Sequence, residues 1–326
     1  MKDLAYEPAD PPTHTAGNFS YQTNKEIFMK EKDEGRLSSQ RRVPEDEQLI
    51  HDDEPAPLAA QPLETLRAGY SWIKALESRH RGWQLYAVEG FPFTLPTIEL
   101  DESRVCLVSL AGVYRKGQKP FNTSPGVVSP QLRSMRFRDR GDWSFREVPV
   151  SADPAELGIT HAHYDHTEAN EDINCVFPLA RLRELEEEGF IGECAAVHYS
   201  LMGYVPEVEP ILETTVKEII PRLEAQEADA VVVSGGCALS HQSAGLIQRE
   251  IEGAGIPTVG VSVCPDITYH LQVPRAVALR FPMGNPFGSS MDASMQSRIL
   301  RDALSLLHAV QAPGEIVHLP YEWVKT

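Results

Sequence analysis

No two of the five cysteines, Cys106, Cys175, Cys194, Cys237 and Cys264, stand in a C-x-x-C spacing. A structural zinc site of the usual kind is therefore absent, and an odd set of widely spaced thiols is not a disulfide framework. Such thiols suit the reducing cytoplasm. Long hydrophobic runs are also missing: nothing approaches the roughly 20 apolar residues of a membrane helix. Met1 to Asn18 lacks the apolar core of a signal peptide. Positive charge is scarce, with 30 Lys and Arg against 47 Asp and Glu and a net charge of −17. So acidic a chain repels phosphate backbones and anionic lipid surfaces, which excludes nucleic acid and membranes as partners. Small molecules and proteins with basic faces remain. No G-x-G-x-x-G follows a strand, so a dinucleotide cofactor has no support. Nothing suggests a pyridoxal lysine, and no internal repeat of fixed period is visible.

What is present is ample apolar content, 42% of 326 residues, enough for one large or two medium domains. Residues 1–60 are polar, proline-interrupted and without sustained period. They read as an extended, partly disordered arm, with docking to a partner subunit as the sharper alternative. Leu66, Tyr70, Ile73 and Leu76 then fall at helical spacing, predicting a helix to about His80. Downstream, Val-rich strands alternate with helices: strands at 104–111, 194–201, 230–234, 258–263 and 276–281, helices at 178–189, 207–226, 240–253 and 291–309. This order predicts an α/β fold, doubly wound, with a mostly parallel sheet covered by helices. A boundary near residue 190 would separate an N-terminal α/β part (61–190) from a C-terminal one (191–326). Arg249, Glu250 and Glu252 read as a solvated helix face.

The sharpest local signal is DAVVVSGGCALSHQSAGLIQREIEG, residues 229–253. A buried strand runs into Gly235-Gly236, then Cys237, then a helix. Ligands of open α/β sheets bind beyond the carboxyl ends of strands, and the two glycines would let the backbone turn sharply and approach a ligand. A cysteine opening a helix meets unpaired N–H groups and the positive end of the dipole, both favouring a thiolate. His241 could share its face and trade a proton with it. The plain alternative is a small buried core residue.

A second cluster reads T-H-A-H-Y-D-H, residues 160–166. His161, His163, Asp165 and His166 have the H-x-H-x-D-H spacing of metallo-β-lactamases, and such ligands can hold zinc or iron. The later histidine of that fold is missing and the order of elements differs. Asn170, Glu171, Asp172 and Asn174 could fix imidazole tautomers. A polar loop without chemistry is the remaining alternative. His198 would line the site or sit in the core. Phe281 to Gly288 (FPMGNPFG) would form its rim, and the loop at Gly112, Lys116 and Gly117 could approach an anionic carboxylate.

Together, GGC with SHQSAGLIQREIEGAGIPTV, VSLAGVYRKGQKPFN (108–122), GDWSFREVP (141–149), ITHAHYDHTEANEDINCVFPLARLRELEEEGFIG (159–192), HYSLMGY (198–204) and FPMGNPFG (281–288) resemble, in order, the selenoprotein B family of the glycine/sarcosine/betaine/D-proline reductases. The likeness is strongest to the D-proline reductase type and spans roughly residues 65–290. It implies that Cys237 stands at the selenocysteine position. In that family the selenol attacks a substrate activated as a Schiff base on a pyruvoyl-bearing partner subunit, a C–N bond is cleaved reductively, and a dithiol restores the selenol. Carried over, Cys237 is the nucleophile, with Gly235, Gly236 and Ser240 lining the site. Ser240 stands where some members carry a resolving cysteine, so Cys264 is the internal candidate for a redox partner thiol. A thioredoxin-like protein or a small dithiol is the external one. Within this likeness His161, His163, Asp165 and His166 would handle protons. The chain would be an oligomer with a partner subunit, acting on an amino acid or related small molecule. Cleavage of C–S rather than C–N bonds is open. So are a cofactor-free racemase or lyase pairing Cys237 with Cys106 or Cys264, a metal-dependent enzyme on the histidine cluster, and a non-catalytic subunit.

Overall fold

Val, Leu and Ala crowd the central strands, which alternate their side chains between two apolar layers. The computed structural model describes residues 70–80, 83–123 and 141–324, all within one compact unit, Asp53–Thr326. The arm at 1–60 and the start of the first predicted helix lie outside the described residues.

Chain order gives α1 (Trp72–Arg79), β1 (Arg104–Leu110), β2 (Val113–Arg115), β3 (Phe145–Pro149), β4 (Leu157–Ile159), α2 (Thr167–Glu171), α3 (Leu179–Glu187), β5 (Glu193–Cys194) and β6 (Val197–Leu201). There follow α4 (Val216–Ala225), β7 (Ala230–Gly235), α5 (Ala238–Gly253), β8 (Thr258–Ser262), α6 (Pro265–His270), β9 (Arg275–Ala278), α7 (Ala293–Ala309) and β10 (Glu315–His318). The main sheet has the order β10-β9-β8-β7-β1-β6-β3, with β5 also on β1. All its pairings are parallel except β3 on β6. β2 and β4 form a separate antiparallel pair.

The two layers are legible in β1 and β7. Val105, Leu107, Ala230 and Val232 belong to one core, whereas Cys106, Val108, Leu110, Val231 and Val233 belong to the other. A sheet apolar on both faces must be covered on both. The α/β, mostly parallel architecture agrees with the sequence reading. The predicted 207–226 helix begins as a π-helical turn, Ile211–Thr215, before α4. Short β3, β4 and β10 carry too little pattern to be seen in sequence.

One expectation is overturned. Glu252 is not on a solvated face: it is buried in an ion pair with Arg275 (2.7 Å) and also accepts from Thr94 N–H and from the N–H and hydroxyl of Thr258. Arg249 is likewise engaged, donating to the carbonyls of Gly90 and Gln272.

β1 is the pivot of the sheet. The chain adds β6 on one side of β1 and then returns to place β7 on the other. The carboxyl ends of β1 and β7 therefore flank the topological switch point, where open α/β sheets hold their ligands.

Candidate functional site

Cys237 stands at that switch point. It is the N-cap of α5, with extended φ and ψ of −125° and 176°. Its Sγ accepts the Ser240 N–H at 3.4 Å, while Ser240 Oγ accepts the Cys237 N–H at 2.7 Å. The pair forms a capping box in which sulfur takes the place of the usual oxygen. The thiol is thus aimed at the N–H groups of the first helical turn, as an anion would be.

The electrostatics run against the simplest expectation. The Cys237 thiol lies above its ordinary pKa, because burial penalises the thiolate more than its partners favour it. Those partners are the N–H and hydroxyl of Ser240, the N–H of Leu239 and the charge of Arg79. Burial also raises the other four thiols. In the free chain, with Cys237 only 2% exposed, the helix start does not make a low-pKa thiolate. Cys237 is therefore expected to resist iodoacetamide at pH 6 and to react only at alkaline pH. Peptide mapping across pH 6–10, with Cys237→Ser as control, would show this; selective labelling at pH 6 would contradict it.

His241 is not open to the thiol. Its Nδ1 lies 2.7 Å from the Cys237 carbonyl, and its Nε2 accepts the Val263 N–H at 3.1 Å. Both nitrogens are occupied, which fixes the neutral Nδ1–H tautomer. Burial lowers its pKa to about 4. In place of the proton exchange expected from sequence, His241 ties the turn after β7 to the turn after β8. That second turn carries Cys264, the N-cap of α6, wholly buried with its Sγ 3.9 Å from Met283 Sδ. Cys237 and Cys264 follow adjacent parallel strands, and each thiol is unpaired.

Gly235 and Gly236 make room for protein rather than ligand, and neither has a positive φ. A Cβ on Gly235 would sit 2.8 Å from His241 Nδ1; one on Gly236 would sit 2.9 Å from both Ala111 Cα and Tyr164 Cε1. Tyr164 donates its hydroxyl to the Ala111 carbonyl at 2.7 Å, and its ring is capped from the far side by Gly284 (φ +85°). Gly284 N–H in turn donates to the Gly236 carbonyl at 3.0 Å, so the 281–288 loop is a wall of this turn.

The histidine loop divides its members. His161 is buried, its Nδ1 accepting the His163 N–H at 3.0 Å; burial first, then His163 and His166, holds it well below the ordinary imidazole pKa. His163 stacks flat on Tyr204, centroids 3.4 Å apart and planes 5° apart. Asp165 is exposed and accepts from the Thr167 N–H and hydroxyl. His166 Nδ1 pairs with the Asn170 side chain at 2.7 Å, the tautomer-fixing contact expected of Asn170. Asp172 serves elsewhere, accepting from Gln296, Asn174 and Met291. Among the described residues no three His, Cys, Asp or Glu side chains are grouped to hold a metal ion.

Several candidates fall away from Cys237. His198 is the second residue of β6, in the core rather than at the strand end. Its Nδ1 accepts the Leu107 N–H at 3.0 Å, its ring meets Phe177, and burial takes its pKa to about 3. Cys106 pairs in register with Val231. Six residues of nearly extended chain separate that level from Cys237, on the order of 15–20 Å; Cys106 is no partner thiol. Lys116 donates its ammonium to the Ala155 carbonyl at 2.7 Å.

Sequence reasoning passed over four residues of this region. Tyr164 lies in the histidine loop, but an aromatic between histidines gives no sign of what it packs on, and nothing in the sequence marks Tyr204. Arg79 and His80 end α1. His80 lies 6.1 Å from the Tyr204 ring, and burial, Arg79 and His163 lower its pKa to about 4.

Fold and site define an α/β protein with a helix-capping thiol at the switch point of a mostly parallel sheet, beside a buried histidine and tyrosine cluster. Residues 131–236 match the family described as glycine/sarcosine/betaine reductase selenoprotein B. The match ends one residue before Cys237. The chain is 36% identical over 232 residues to D-proline reductase subunit gamma of Acetoanaerobium sticklandii, covering 71% of this chain and 89% of the relative. It is 27% identical over 217 residues to glycine reductase complex component B subunit gamma of Symbiobacterium thermophilum, covering 65% of this chain and 48% of the relative. Betaine reductase complex component B subunit beta of Peptoclostridium acidaminophilum is 29% identical over 130 residues, 39% of this chain and 29% of the relative. The chain belongs to the glycine/sarcosine/betaine reductase selenoprotein B family, whose named members here are subunits of reductase complexes. It spans about half the length of the glycine reductase relatives. No solved structure shows a significant match. No helix among the described residues is long and apolar enough to cross a membrane.

Proposed function

We propose that this chain is the thiol-bearing subunit of a reductase that cleaves a C–N bond in an amino acid or related small molecule, with Cys237 as nucleophile. One observation carries the reading: Cys237 Sγ sits in the capping box at the switch point, where N–H groups converge on it. Family membership supports the same reading, since the relatives are reductase subunits.

In this chemistry the Cys237 sulfur attacks the substrate carbon, a C–S bond forms, and the C–N bond breaks with its electron pair leaving on nitrogen. A second thiol then attacks Cys237 Sγ. A disulfide forms, the C–S electron pair returns to carbon, and carbon takes a proton. A dithiol reduces the disulfide and supplies the two electrons of the overall reaction. Cys264 is the internal candidate for the second thiol, and a thioredoxin-like protein or small dithiol the external one. A pyruvoyl group on a partner subunit would activate the substrate nitrogen. We assign the proton steps to His161 and His163, a reading supported by their packing on Tyr164 and Tyr204. His241 and Ser240 hold the nucleophile in place.

The test is assembly of the full chain with its partner subunits, supplied with D-proline or glycine and dithiothreitol. Amino-acid-dependent oxidation of dithiothreitol is expected. Omitting dithiothreitol after one turnover should leave a Cys237–Cys264 disulfide in the peptide map, or a mixed disulfide on Cys237 where an external thiol resolves. No dithiol oxidation with either amino acid would sink the reading.

A further inference from the structure

We infer that Met283 is a positioning residue for the second thiol: its thioether holds Cys264 as the sulfur that closes on Cys237. The inference rests on the reductase reading and deepens it, by saying which thiol resolves the reaction and what places it. Cys237 and Cys264 each stand three residues past the paired Ser234 and Val261, on the adjacent parallel strands β7 and β8. Neighbouring strands lie about 4.8 Å apart, so the two turns start side by side. His241 ties them together, with Nδ1–H donating to the Cys237 carbonyl at 2.7 Å and Nε2 accepting the Val263 N–H at 3.1 Å. The 281–288 loop ties them a second time. Gly284 N–H donates to the Gly236 carbonyl at 3.0 Å, and Met283, one residue earlier, receives the Cys264 thiol on its Sδ at 3.9 Å. The segment that receives Cys264 is thus the segment bonded to the turn of Cys237.

The directions of the hydrogen bonds separate the two sulfurs. A thioether carries no hydrogen, so in the Cys264–Met283 contact the thiol is the donor, and Cys264 keeps its proton. Cys237 Sγ is an acceptor, taking the Ser240 N–H at 3.4 Å, an arrangement that a thiolate retains. Both cysteines are N-caps, yet Cys237 alone turns its sulfur to the N–H groups of its helix; Cys264 makes no side-chain cap, and its sulfur is turned to Met283 instead. Burial first, then Asp266 and Cys237, raises the Cys264 thiol well above its ordinary pKa, as suits a sulfur that acts second. Met283 is buried, and Gly284 after it is pressed against Tyr164, so the thioether is anchored. Cys237 attacks first and Cys264 second. As the Cys264 sulfur joins Cys237 Sγ it gives up one proton and the released carbon gains one, so the resolving step balances without an outside acid.

Closure of the disulfide in the full chain tests this without amino acid or partner subunit. Glutathione disulfide at pH 9 is the oxidant. The Cys237 sulfur attacks it and one glutathione leaves as thiolate. The Cys264 sulfur then attacks Cys237 Sγ, and the second glutathione leaves with the proton that Cys264 gives up. Peptide maps of acid-quenched samples give the rate of each step. Met283→Leu keeps volume and apolarity and removes the acceptor. It is expected to leave the first step within about twofold and to slow closure about tenfold, so that the mixed disulfide on Cys237 accumulates. Equal closure rates in the wild type and Met283→Leu, equal slowing of both steps, or a wild type that stops at the mixed disulfide would overturn the inference. Should glutathione disulfide leave Cys237 unmodified, the infrared S–H stretching band of Cys264, identified by its loss in Cys264→Ser, reads the contact directly. A band shifted by Met283→Leu supports the inference, and an unshifted band overturns it. Because neither readout involves the amino acid, failure here leaves the dithiol-oxidation test standing with an external resolving thiol, and failure there leaves the closure rates standing.

Discussion

Replacing Cys237 with serine should abolish turnover of the assembled complex, by about a thousandfold or more, while leaving the subunit folded. The two halves of that expectation have separate causes. A serine hydroxyl ionises far less readily than a thiol and cannot be discharged by thiol exchange, so both the attack and the resolving step are lost. The fold has no such need of sulfur. The capping position accepts the Ser240 N–H through Sγ at 3.4 Å, and serine is among the best N-caps. Thermal unfolding should therefore stay within a few degrees of the wild type or move upward. Substrate-dependent oxidation of dithiothreitol and a thermal melt on the same preparation report the two halves. Turnover unchanged in Cys237→Ser would make the thiol a core residue and return the family likeness to a non-catalytic subunit. Loss of turnover accompanied by loss of fold would be uninformative in many proteins, but here the cap chemistry predicts against it.

The second large effect is acid lability between about pH 6.5 and 4. His241 and His198 are buried neutral, with pKa values near 4 and 3, and His161 is held well below its ordinary value. The unfolded chain titrates these imidazoles near 6.5. Below that pH the unfolded state binds more protons than the folded one, so stability falls as pH drops toward the folded values. At roughly 1.4 kcal/mol per pKa unit, His241 alone accounts for about 3 kcal/mol and His198 somewhat more. Their sum approaches the whole stability of an ordinary domain, about 5–15 kcal/mol. Urea unfolding midpoints should hold steady above pH 7 and fall steeply from pH 6.5 to 5, a range in which ordinary carboxylates have barely begun to protonate. His198→Asn should flatten that slope by about one proton. Midpoints unchanged down to pH 5 would contradict the neutral burial of these rings. At the other extreme, the raised thiols predict a second loss of stability as pH rises above about 9.

Sequence alone determined the sheet and the position of the thiol. Residues 230–233 are apolar without interruption because β7 is covered on both faces, and a strand so covered announces itself. The helix after Cys237 followed from spacing, since packing one face on a sheet requires a 3.6-residue period. The short strands β3, β4 and β10 escaped, being too brief for a period to accumulate. The site was legible only where residues adjacent in sequence act together. Cys237 with Ser240 is such a case, and so is the histidine loop as a segment.

Tertiary structure decided what those residues do. His241 looked like a proton partner for the thiol because it lies four residues on; β8 supplied the Val263 N–H that occupies it. Gly235 and Gly236 looked like room for a ligand, and the room is filled by His241 and Tyr164. A helix start promised a low-pKa thiol, and burial by elements distant in sequence raised it instead. Periodicity records which face of an element is buried; only the folded chain records which group buries it, and that identity fixes hydrogen bonds, charge and the state of the thiol.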